Sequence, residues 1–385
     1  MFTEETINKL KKVQTPFYYY DLDVLHDTCR KVKEKSEQYG IIVHYAVKAN
    51  ANPGILKIIS SYGFGADCVS GNEISRCLSE GFRPEGIVFA GAGKNDFEIE
   101  TALRNNIYCF NCESLPEIEV INQIAGKTGK KANIALRINP YIEAHTHKYI
   151  TTGIEESKFG ITTDELEEVL DYIERQNNIS LMGIHFHIGS QITRLNVFKS
   201  LCTRINELQE WFAIHNADLK MINLGGGLGI DYENPEAMPL FDEYFYLINE
   251  MIELRPGQKM HIEPGRSIIG QCGSLISRVL YIKKAANTTF AIIDAGMNDL
   301  IRPALYQAHH KIENLTSAGE SRRYDVVGPL CESADVFGKY VELPETKRGD
   351  IIAIRSAGAY GEAMASTYNL RDLPRAVFSD EILFF

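Results

Sequence analysis

The chain has 385 residues with a formal net charge of −11, and 44% of its residues are hydrophobic. The negative charge argues against a nucleic-acid or anionic-membrane surface. No apolar stretch reaches the roughly 18 residues that span a membrane, and the acidic N-terminus does not resemble a signal peptide. Eight cysteines without framework spacing predict reduced thiols and a cytoplasmic location. Cys109 and Cys112 form a C-x-x-C in an apolar run without a second pair, so no metal site is predicted.

Apolar runs alternate with amphipathic helical patterns through the first two thirds of the chain, after a short strand at 17–20 and a helix over 22–39. Eight buried strands are predicted to end near Lys48, Ser70, Gly91, Glu113, Pro140, Ser190, Gly225 and Arg266. The helical patterns include residues 71–80, 115–125, 163–175 and 198–215. Eight such units over roughly 230 residues predict a parallel (β/α)8 barrel, with a doubly wound open sheet as the alternative.

The pattern changes after Arg266, where strands follow one another with little helix between them. These strands are predicted at residues 268–285, 289–294, 324–327, 336–341 and 350–353. The early strand at 17–20 is expected to join them. The fold class is therefore α/β plus all-β: a (β/α)8 TIM-type barrel over 22–266 and a C-terminal β-sandwich or β-barrel domain built from 1–21 and 267–385.

Polar residues collect where the barrel strands end, and that edge carries the active site of a (β/α)8 barrel. They are Lys48, Asp67, Arg137, His187 with Ser190, Gly225 to Gly227, and Glu263 with Arg266. A lysine in an apolar site loses its proton easily and becomes a nucleophile towards carbonyls. The alternative is that Lys48 extends its ammonium to water at the strand edge.

Three further features bear on the chemistry of this edge, and two of them have two interpretations. His185 and His187 face the same way on one strand and are either satisfied core residues or a site in which one ring stacks on a planar cofactor. The Gly225–Gly227 run lets backbone N–H groups approach an anion, although no Walker Lys-Ser/Thr follows it. Glu263 either holds a protonated ring nitrogen or pairs with Arg266. With Lys48, these features predict a pyridoxal phosphate site.

Seven motifs cover nearly the whole chain. They are Tyr45-Ala46-Val47-Lys48-Ala49-Asn50, Ser157-Lys158-Phe159-Gly160, His185-Phe186-His187-Ile188-Gly189-Ser190-Gln191, Leu224-Gly225-Gly226-Gly227, Glu263-Pro264-Gly265-Arg266, Gly328-Pro329-Leu330-Cys331-Glu332-Ser333 and Ala357-Gly358-Ala359-Tyr360. In these motifs the chain resembles the fold-type III pyridoxal-phosphate decarboxylases of the alanine-racemase-like barrel group, and among them the diaminopimelate decarboxylases.

The resemblance implies a role for each matching residue. Lys48 would hold the cofactor aldehyde, His187 would stack on the ring and Glu263 would pair with the ring nitrogen. The other cofactor-binding residues would be Asp67, Arg137, Ser190, Gly225, Gly226, Gly227, Gly265, Arg266 and Tyr360, with Ser190, the glycines and Tyr360 at the phosphate. The substrate would be held by Arg266, Arg302, Tyr306, Glu332 and Tyr360, and Cys331 would donate the proton. The family is homodimeric, with Cys331 and Glu332 arriving from the partner subunit.

Chemistry narrows the expected reaction to decarboxylation. A racemase of this fold would place an arginine at the ring nitrogen, whereas Glu263 keeps that nitrogen charged and the cofactor strongly electron-withdrawing. The thiol of Cys331 can protonate the substrate carbon. Arg302 and Arg266 can bind a distal carboxylate, as decarboxylation of meso-2,6-diaminopimelate to L-lysine requires, unless Arg302 is a solvated loop residue.

Two other functions stay open at this point. Carboxynorspermidine decarboxylase shares the barrel and the lysine motif, and its substrate also ends in an amino-linked carboxylate. A non-catalytic pyridoxal-phosphate protein of the same barrel fold is the other alternative. The β domain with Cys331 and Tyr360 argues against the non-catalytic protein. The chain is shorter than many members of the group, and residues 368–373 replace a tail richer in arginine and proline. The polar loop at 145–149 is a candidate lid.

Overall fold

The computed structural model describes residues 2–142 and 158–384, so the loop at 145–149 and Ser157 lie outside the described residues. The chain divides into two compact units. The barrel unit comprises residues 29–229 and 239–265, and the β unit comprises residues 1–28, 230–238 and 266–385. No helix among the described residues is long and apolar enough to cross a membrane.

The N-terminal segment forms helix α1 (Glu4–Leu10), strand β1 (Phe17–Tyr20) and helix α2 (Leu22–Tyr39). Thr3 caps α1, because its side chain accepts a hydrogen bond from the Thr6 N–H. All four residues of β1 are buried, as its unbroken apolar and aromatic composition predicts. The strand and the helix over 22–39 are confirmed at their predicted positions.

Eight parallel strands close the barrel in chain order, which confirms the (β/α)8 prediction and excludes an open sheet. They are β2 (Ile42–Ala46), β3 (Gly65–Cys68), β4 (Ile87–Phe89), β5 (Cys109–Cys112), β6 (Ala132–Arg137), β7 (Ile179–His185), β8 (Met221–Asn223) and β9 (Lys259–Ile262). One cluster of buried side chains, Val88, Cys109, Ala135 and Met221, comes from four of these strands. Parallel strands buried on both faces need such continuous apolar runs.

Among the residues that the structure describes, seven α-helices connect the barrel strands. They are α3 (Pro53–Ser61), α4 (Gly71–Ser79), α5 (Asp96–Arg104), α6 (Leu115–Thr128), α7 (Leu166–Glu174), α8 (Leu195–Ile214) and α9 (Phe241–Met251). Side chains of Asn52, Ser70, Asn95 and Ser114 accept backbone N–H groups at the starts of α3 to α6, so the chain itself marks where these helices begin. The pattern over 163–175 divides into a 3-10 turn (Thr163–Glu165) and α7.

The β unit is confirmed as all-β around one mainly antiparallel eight-stranded sheet. Its remaining elements are α10 (Arg266–Ile269), β10 (Gly273–Lys284), β11 (Thr289–Ile293), α11 (Arg302–Tyr306), β12 (Ile312–Asn314), β13 (Ser321–Val327), β14 (Val336–Pro344), β15 (Ile351–Ile354) and β16 (Arg375–Phe378). Strand β1 joins this sheet as expected, with Phe17 opposite Ile276 on β10. Leu10, Val13, Phe17, Ile276, Ile351 and Val377 belong to its core.

The start of the first long β-unit strand was predicted wrongly. Residues 266–269 form α10, and the strand begins only at Gly273. All four residues of α10 are buried, and a segment this short has no periodicity that distinguishes helix from strand. The sequence analysis also missed α1, α11, β12 and β16, all of which are short.

Candidate active site

Lys48 lies just beyond β2, in a 3-10 turn (Val47–Ala49) rather than in the strand itself. Val47 and Ala49 are buried, whereas the Lys48 side chain is 33% exposed. Its Nζ lies 3.5 Å from Oδ2 of Asp67, which follows at the end of β3. The lysine is thus directed towards a buried carboxylate at the carboxyl ends of the strands, where the sequence placed it.

Asp67 is fully buried, and its Oδ1 has no hydrogen-bond partner among the described residues. Burial, together with the negative charge of Glu263, raises the pKa of Asp67 to about 8, although Lys48 acts in the opposite direction. A buried carboxyl oxygen without a donor is costly in a folded chain. The Asp67 Oδ1, close to the Lys48 amine, therefore suits a ligand that supplies a hydrogen-bond donor or a positive charge.

We expect Asp67→Asn to make the stability of the cofactor-free protein less dependent on pH. The folded-state pKa of about 8 exceeds the ordinary value of 3.8, so the folded chain holds a proton that the unfolded chain has lost between these values. The stabilisation from this group is therefore present below about pH 4 and is lost as the pH rises to 8, by up to ~1.4 kcal/mol per pH unit. Urea unfolding should show the variant gaining stability over wild type between pH 5 and pH 8.

The exposed Asp164→Asn variant is the control for this comparison, since that side chain lies on the surface. Its unfolding free energy should follow that of wild type across the range. Parallel pH curves for Asp67→Asn and wild type would show instead that Asp67 is ionised in the folded chain throughout.

Glu263 follows β9 and is held by three donors inside the barrel. Asn111 and Asn223 donate to its Oε1 at 3.2 Å and 2.7 Å, and His185 Nε2 donates to its Oε2 at 2.8 Å. Burial alone would raise the pKa of Glu263, but His185 and Lys48 oppose it and hold the pKa below the ordinary value. The site therefore contains a buried ionised carboxylate, and its partners within the barrel unit are these side chains.

His187 and the glycine run contact each other after β7 and β8. The Gly226 N–H donates to His187 Nδ1 at 3.3 Å, and the Gly225 N–H donates to Asn223 Oδ1 at 2.9 Å. Burial, with the charges of Lys48 and Arg137, lowers the pKa of His187 well below its ordinary value. The imidazole is therefore neutral, and a phosphate at this loop would compete with partners that two of the glycine N–H groups already have.

Two of these glycines permit close backbone contacts. A Cβ on Gly225 would lie 1.9 Å from the Phe186 carbonyl oxygen, and one on Gly226 would lie 2.4 Å from the Glu263 carbonyl oxygen. The backbone of Gly225 is also left-handed, with φ of 75°. The run is thus required by packing as well as by any ligand.

Arg137, at the end of β6, pairs with Glu113, which the sequence analysis did not select. Arg137 Nη1 lies 2.5 Å from Glu113 Oε1, and Glu113 Oε2 accepts the Gly160 N–H at 2.8 Å. The Arg137 guanidinium also lies over the Phe159 ring, 4.7 Å from its centroid. Glu113 follows β5, so the rule that singled out the other strand ends could have found it.

Ser190 and Gly265 complete the predicted residues of the barrel unit. Ser190 is half-buried and lies in the loop that follows β7. A Cβ on Gly265 would lie 3.0 Å and 3.1 Å from the Cβ atoms of Ala46 and Ala49. Glycine therefore allows the segment after β9 to pack against the turn that carries Lys48.

In the β unit, Arg266 and Arg302 share a tyrosine. Arg266 donates from Nη1 to the Tyr232 hydroxyl at 2.6 Å, and the Arg302 guanidinium lies 5.0 Å from the centroid of the Tyr232 ring. Arg266 also lies over the Tyr360 ring at 4.9 Å. The structure thus brings together three predicted residues and Tyr232, which the sequence analysis missed.

Cys331 and Glu332 are exposed in the β unit, whereas the other seven cysteines are buried. Glu332 Oε1 accepts the Tyr368 hydroxyl at 2.7 Å. Tyr306 is half-buried at the end of α11. The proposed proton donor is therefore the one thiol of the chain that a substrate could reach from the surface of a single subunit.

Residues 25–270 match the family model described as "Pyridoxal-dependent decarboxylase, pyridoxal binding domain". The chain belongs to the pyridoxal-dependent decarboxylase family. Its similarity to members of this family extends over the β unit. A diaminopimelate decarboxylase from Bacteroides thetaiotaomicron is 54% identical over 380 residues, which cover 98% of each chain. One from Helicobacter pylori is 43% identical over 373 residues, covering 96% of this chain and 91% of that one.

Solved structures of this family show the same architecture. Diaminopimelate decarboxylase from Helicobacter pylori, complexed with L-lysine, superposes with a TM-score of 0.91 at 42% identity, covering 96% of this chain and 93% of that one. The enzyme from M. jannaschii in co-complex with L-lysine gives 0.90 at 34% identity, covering 97% and 89%. These comparisons confirm the predicted resemblance and the predicted fold.

This decarboxylase uses pyridoxal phosphate, and the residues of the barrel unit fit that cofactor. Lys48 supplies an amine, and the unpartnered Oδ1 of Asp67 is a buried acceptor 19 residues further along the chain. The neutral ring of His187 is suited to stacking, and Glu263 is an ionised carboxylate that can face a protonated pyridine. The charges also match: the negative Glu263 would face a positive ring nitrogen, and the neutral His187 would face the ring.

Proposed function

We propose that this decarboxylase converts meso-2,6-diaminopimelate to L-lysine and carbon dioxide, with the site residues acting as the resemblance implies. One observation carries the choice of substrate: a buried arginine of the β unit without a carboxylate. Arg302 is only 4% exposed, and no carboxylate among the described residues forms an ion pair with it. Diaminopimelate has a second carboxylate to offer, whereas ornithine and lysine end in an ammonium group.

The neighbours of Arg302 leave its charge uncompensated. Its Nη1 lies 2.8 Å from His310 Nε2, and His310 Nδ1 donates to the Arg355 carbonyl. Burial, with the charge of Arg302, lowers the pKa of His310 well below its ordinary value, so that ring is neutral. The Arg302 Nε has no partner among the described residues, and the same holds for the Arg355 Nε, so the feature that distinguishes Arg302 is the missing carboxylate. A buried guanidinium with a spare donor is a good receptor for a carboxylate.

Arg355, a buried arginine of the same unit with a structural role, is paired with carboxylates. Its Nη1 and Nη2 each lie 2.7 Å from a carboxylate oxygen, of Glu313 and Glu236 respectively. A buried charge of this kind is neutralised within the protein. The contrast supports a ligand carboxylate at Arg302, and the lysine-bound relatives favour diaminopimelate over carboxynorspermidine.

When bound, pyridoxal phosphate would supply an electron-withdrawing ring that makes loss of the substrate carboxylate easier. Lys48 would hold the cofactor at its aldehyde carbon, and His187 would support one face of the ring. Glu263 would keep the ring nitrogen protonated. Cys331 would then donate its thiol proton to the α-carbon, which replaces the lost carboxylate by hydrogen.

We expect Arg302→Met to raise the KM for meso-diaminopimelate by roughly 10- to 100-fold, because a charge-assisted hydrogen bond worth about 1.5–3 kcal/mol is lost. The kcat should change less, since Arg302 is assigned to binding. Steady-state kinetics on the holoenzyme measure both quantities. Arg322→Met, on an exposed strand end, is the control. An unchanged KM in a folded Arg302→Met variant would remove the distal carboxylate from this position.

We propose that the enzyme is a homodimer in which the partner's β unit completes each site. Cys331 and Glu332 are exposed, and a proton donor must be shielded from water to work on a reactive carbon. Tyr368, which contacts Glu332, precedes Leu370, a leucine that is 97% exposed. Exposed apolar side chains beside functional residues favour a covering surface. The predicted boundaries, 22–266 for the barrel and 1–21 with 267–385 for the domain that completes the site, belong to this proposal.

Mixing two inactive variants tests the shared site. Lys48→Ala chains lack the cofactor anchor and Cys331→Ala chains lack the acid, so a heterodimer has one site missing both groups and one missing neither. Random re-association of equal amounts should restore about a quarter of wild-type activity, since half of the dimers have one good site. Tagged chains show whether heterodimers form. Heterodimers with only parental activity would place Cys331 in the site of its own subunit or outside the reaction.

We place the enzyme in the cytoplasm. All eight cysteines are free thiols in the structure, including the exposed Cys331. A reducing compartment keeps such a thiol available as a proton donor, whereas an oxidising one favours disulfides.

A further inference from the structure

The carboxylate of Glu263 has unequal oxygens. Its Oε1 accepts two hydrogen bonds, from the side-chain amides of Asn111 and Asn223. Its Oε2 accepts one, from His185 Nε2. An ionised carboxylate oxygen accepts about two hydrogen bonds in its plane. Within the described part of the chain, the remaining acceptor position of Glu263 is therefore on Oε2, the oxygen that His185 holds.

We propose that His185 is a positioning residue, which turns Oε2 of Glu263 towards the ring nitrogen of the cofactor and keeps that oxygen ionised. This inference rests on the proposed function, because it takes Glu263 as the partner of the ring nitrogen. In this arrangement Asn111 and Asn223 fix the plane of the Glu263 carboxylate, and His185 orients Oε2, the oxygen that contacts the cofactor.

The surroundings of His185 support a role directed at Glu263 alone. The residue is 1% exposed, and its Nδ1 has no hydrogen-bond partner among the described residues. A buried imidazole nitrogen without a partner is costly, so the role of His185 follows from the one hydrogen bond that its ring makes. Among the described residues, the His185 side chain has one hydrogen-bond partner, the buried carboxylate of Glu263 at 2.8 Å.

His261, on β9 just before Glu263, differs from His185 in the group that it contacts. Like His185 Nδ1, its Nε2 has no hydrogen-bond partner among the described residues. Its Nδ1 hydrogen-bonds with His44 Nε2 at 2.8 Å, and His44 Nδ1 donates to the Gly86 carbonyl. The two imidazoles stack with an interplanar angle of 10°. This pair is as buried as His185 but donates to a neighbouring ring and a main-chain oxygen, so His261 is a matched control for loss of a buried imidazole.

Several other titratable groups either change the pKa of Glu263 through their charge or have their own pKa changed by the charge of Glu263. They are Lys48, Asp67, His44, His187, His261, Cys109 and Tyr244. Lys48 is consumed when the cofactor is attached. Protonation of the cofactor ring nitrogen is therefore the quantity to measure. It reports on the atom that Glu263 contacts, whichever of these neighbouring groups changes its own protonation.

The test uses holoenzyme loaded with pyridoxal phosphate that is labelled with 15N in the ring, whose chemical shift reports protonation of that nitrogen directly. In wild type the nitrogen should stay protonated from pH 6 to pH 9. In His185→Leu it should lose its proton within this range, and kcat should fall roughly 10- to 100-fold, with KM changing less than about threefold. His185→Gln, whose terminal amide N–H can reach Oε2, should restore most of the protonation.

If His185→Leu does not fold, His185→Asn replaces it, since the shorter amide cannot reach Oε2. A ring nitrogen that stays protonated to pH 9 in the folded Leu or Asn variant would overturn the proposal. An equal loss of protonation in His261→Leu would also overturn it, because burial rather than contact would then be responsible. Failure of wild type to decarboxylate diaminopimelate, with the 15N titrations as expected, would overturn the proposed substrate and leave the role of His185 standing.

Discussion

Lys48→Ala is expected to abolish decarboxylation and the visible absorbance of bound cofactor together. The amine of Lys48 lies beside Asp67 at the barrel strand ends, where a covalent bond to the cofactor aldehyde is needed. Lys94, another buried lysine of the barrel unit, donates to the Gly91 and Asn111 carbonyls and to Glu117, so it cannot take over. An absorption spectrum and a carbon dioxide assay of the purified variant measure both effects.

Two controls separate loss of the anchor from loss of charge. Lys48→Arg keeps a cation near Asp67 but cannot form the bond, and it should be as inactive as the alanine variant. Lys57→Ala, on the exposed side of α3, should keep the absorbance and the activity of wild type. A yellow Lys48→Ala protein whose band survives borohydride would refute the assignment and leave Lys48 as a lysine that only reaches towards water.

Glu263→Gln is expected to retain cofactor while lowering kcat severely. The ring nitrogen loses its charged partner, and a charge-assisted hydrogen bond in such a site is worth on the order of 2–3 kcal/mol or more, which corresponds to roughly 30- to 150-fold in rate. The local geometry can survive the change, since Asn111 and Asn223 can donate to the remaining amide oxygen. Cofactor content and kcat, measured on the same preparation, give the comparison.

Glu263→Asp is the matched variant for this experiment. It retains the charge but withdraws it by one methylene group, so its kcat should lie between those of wild type and Glu263→Gln. Unchanged turnover in Glu263→Gln would mean that the carboxylate serves the packing of the barrel rather than the reaction.

The barrel could be predicted from sequence because its strands are continuous apolar runs that end in polar residues. Each predicted strand end lies within a few residues of the observed one, and Lys48, Asp67 and Glu263 all follow directly from that rule. The second unit was harder. Strand β16 has four residues and its first is exposed, so its pairing with β1 leaves no periodic signal. Helix α10 ends in two isoleucines, which resemble the apolar residues of the strand that follows.

The contacts within the site could not be predicted because they join residues far apart in the chain. Asn111 and Asn223 lie 152 and 40 residues from Glu263, and no local pattern marks an asparagine inside a strand as a carboxylate ligand. Tyr232 is another such residue, since it lies between two arginines only in the folded β unit. His185 was noticed as half of a pair with His187, but only the structure shows that the two rings have different partners.

Release of carbon dioxide from four amino acids tests the central claim most directly. Purified holoenzyme would receive meso-diaminopimelate, carboxynorspermidine, ornithine and lysine at equal concentration, with the decarboxylated product identified in each case. We expect rapid release from meso-diaminopimelate with L-lysine as the product, and at most slow release from the other three. A higher kcat/KM for ornithine or lysine would contradict a distal site built around Arg302, and a higher kcat/KM for carboxynorspermidine would contradict the substrate.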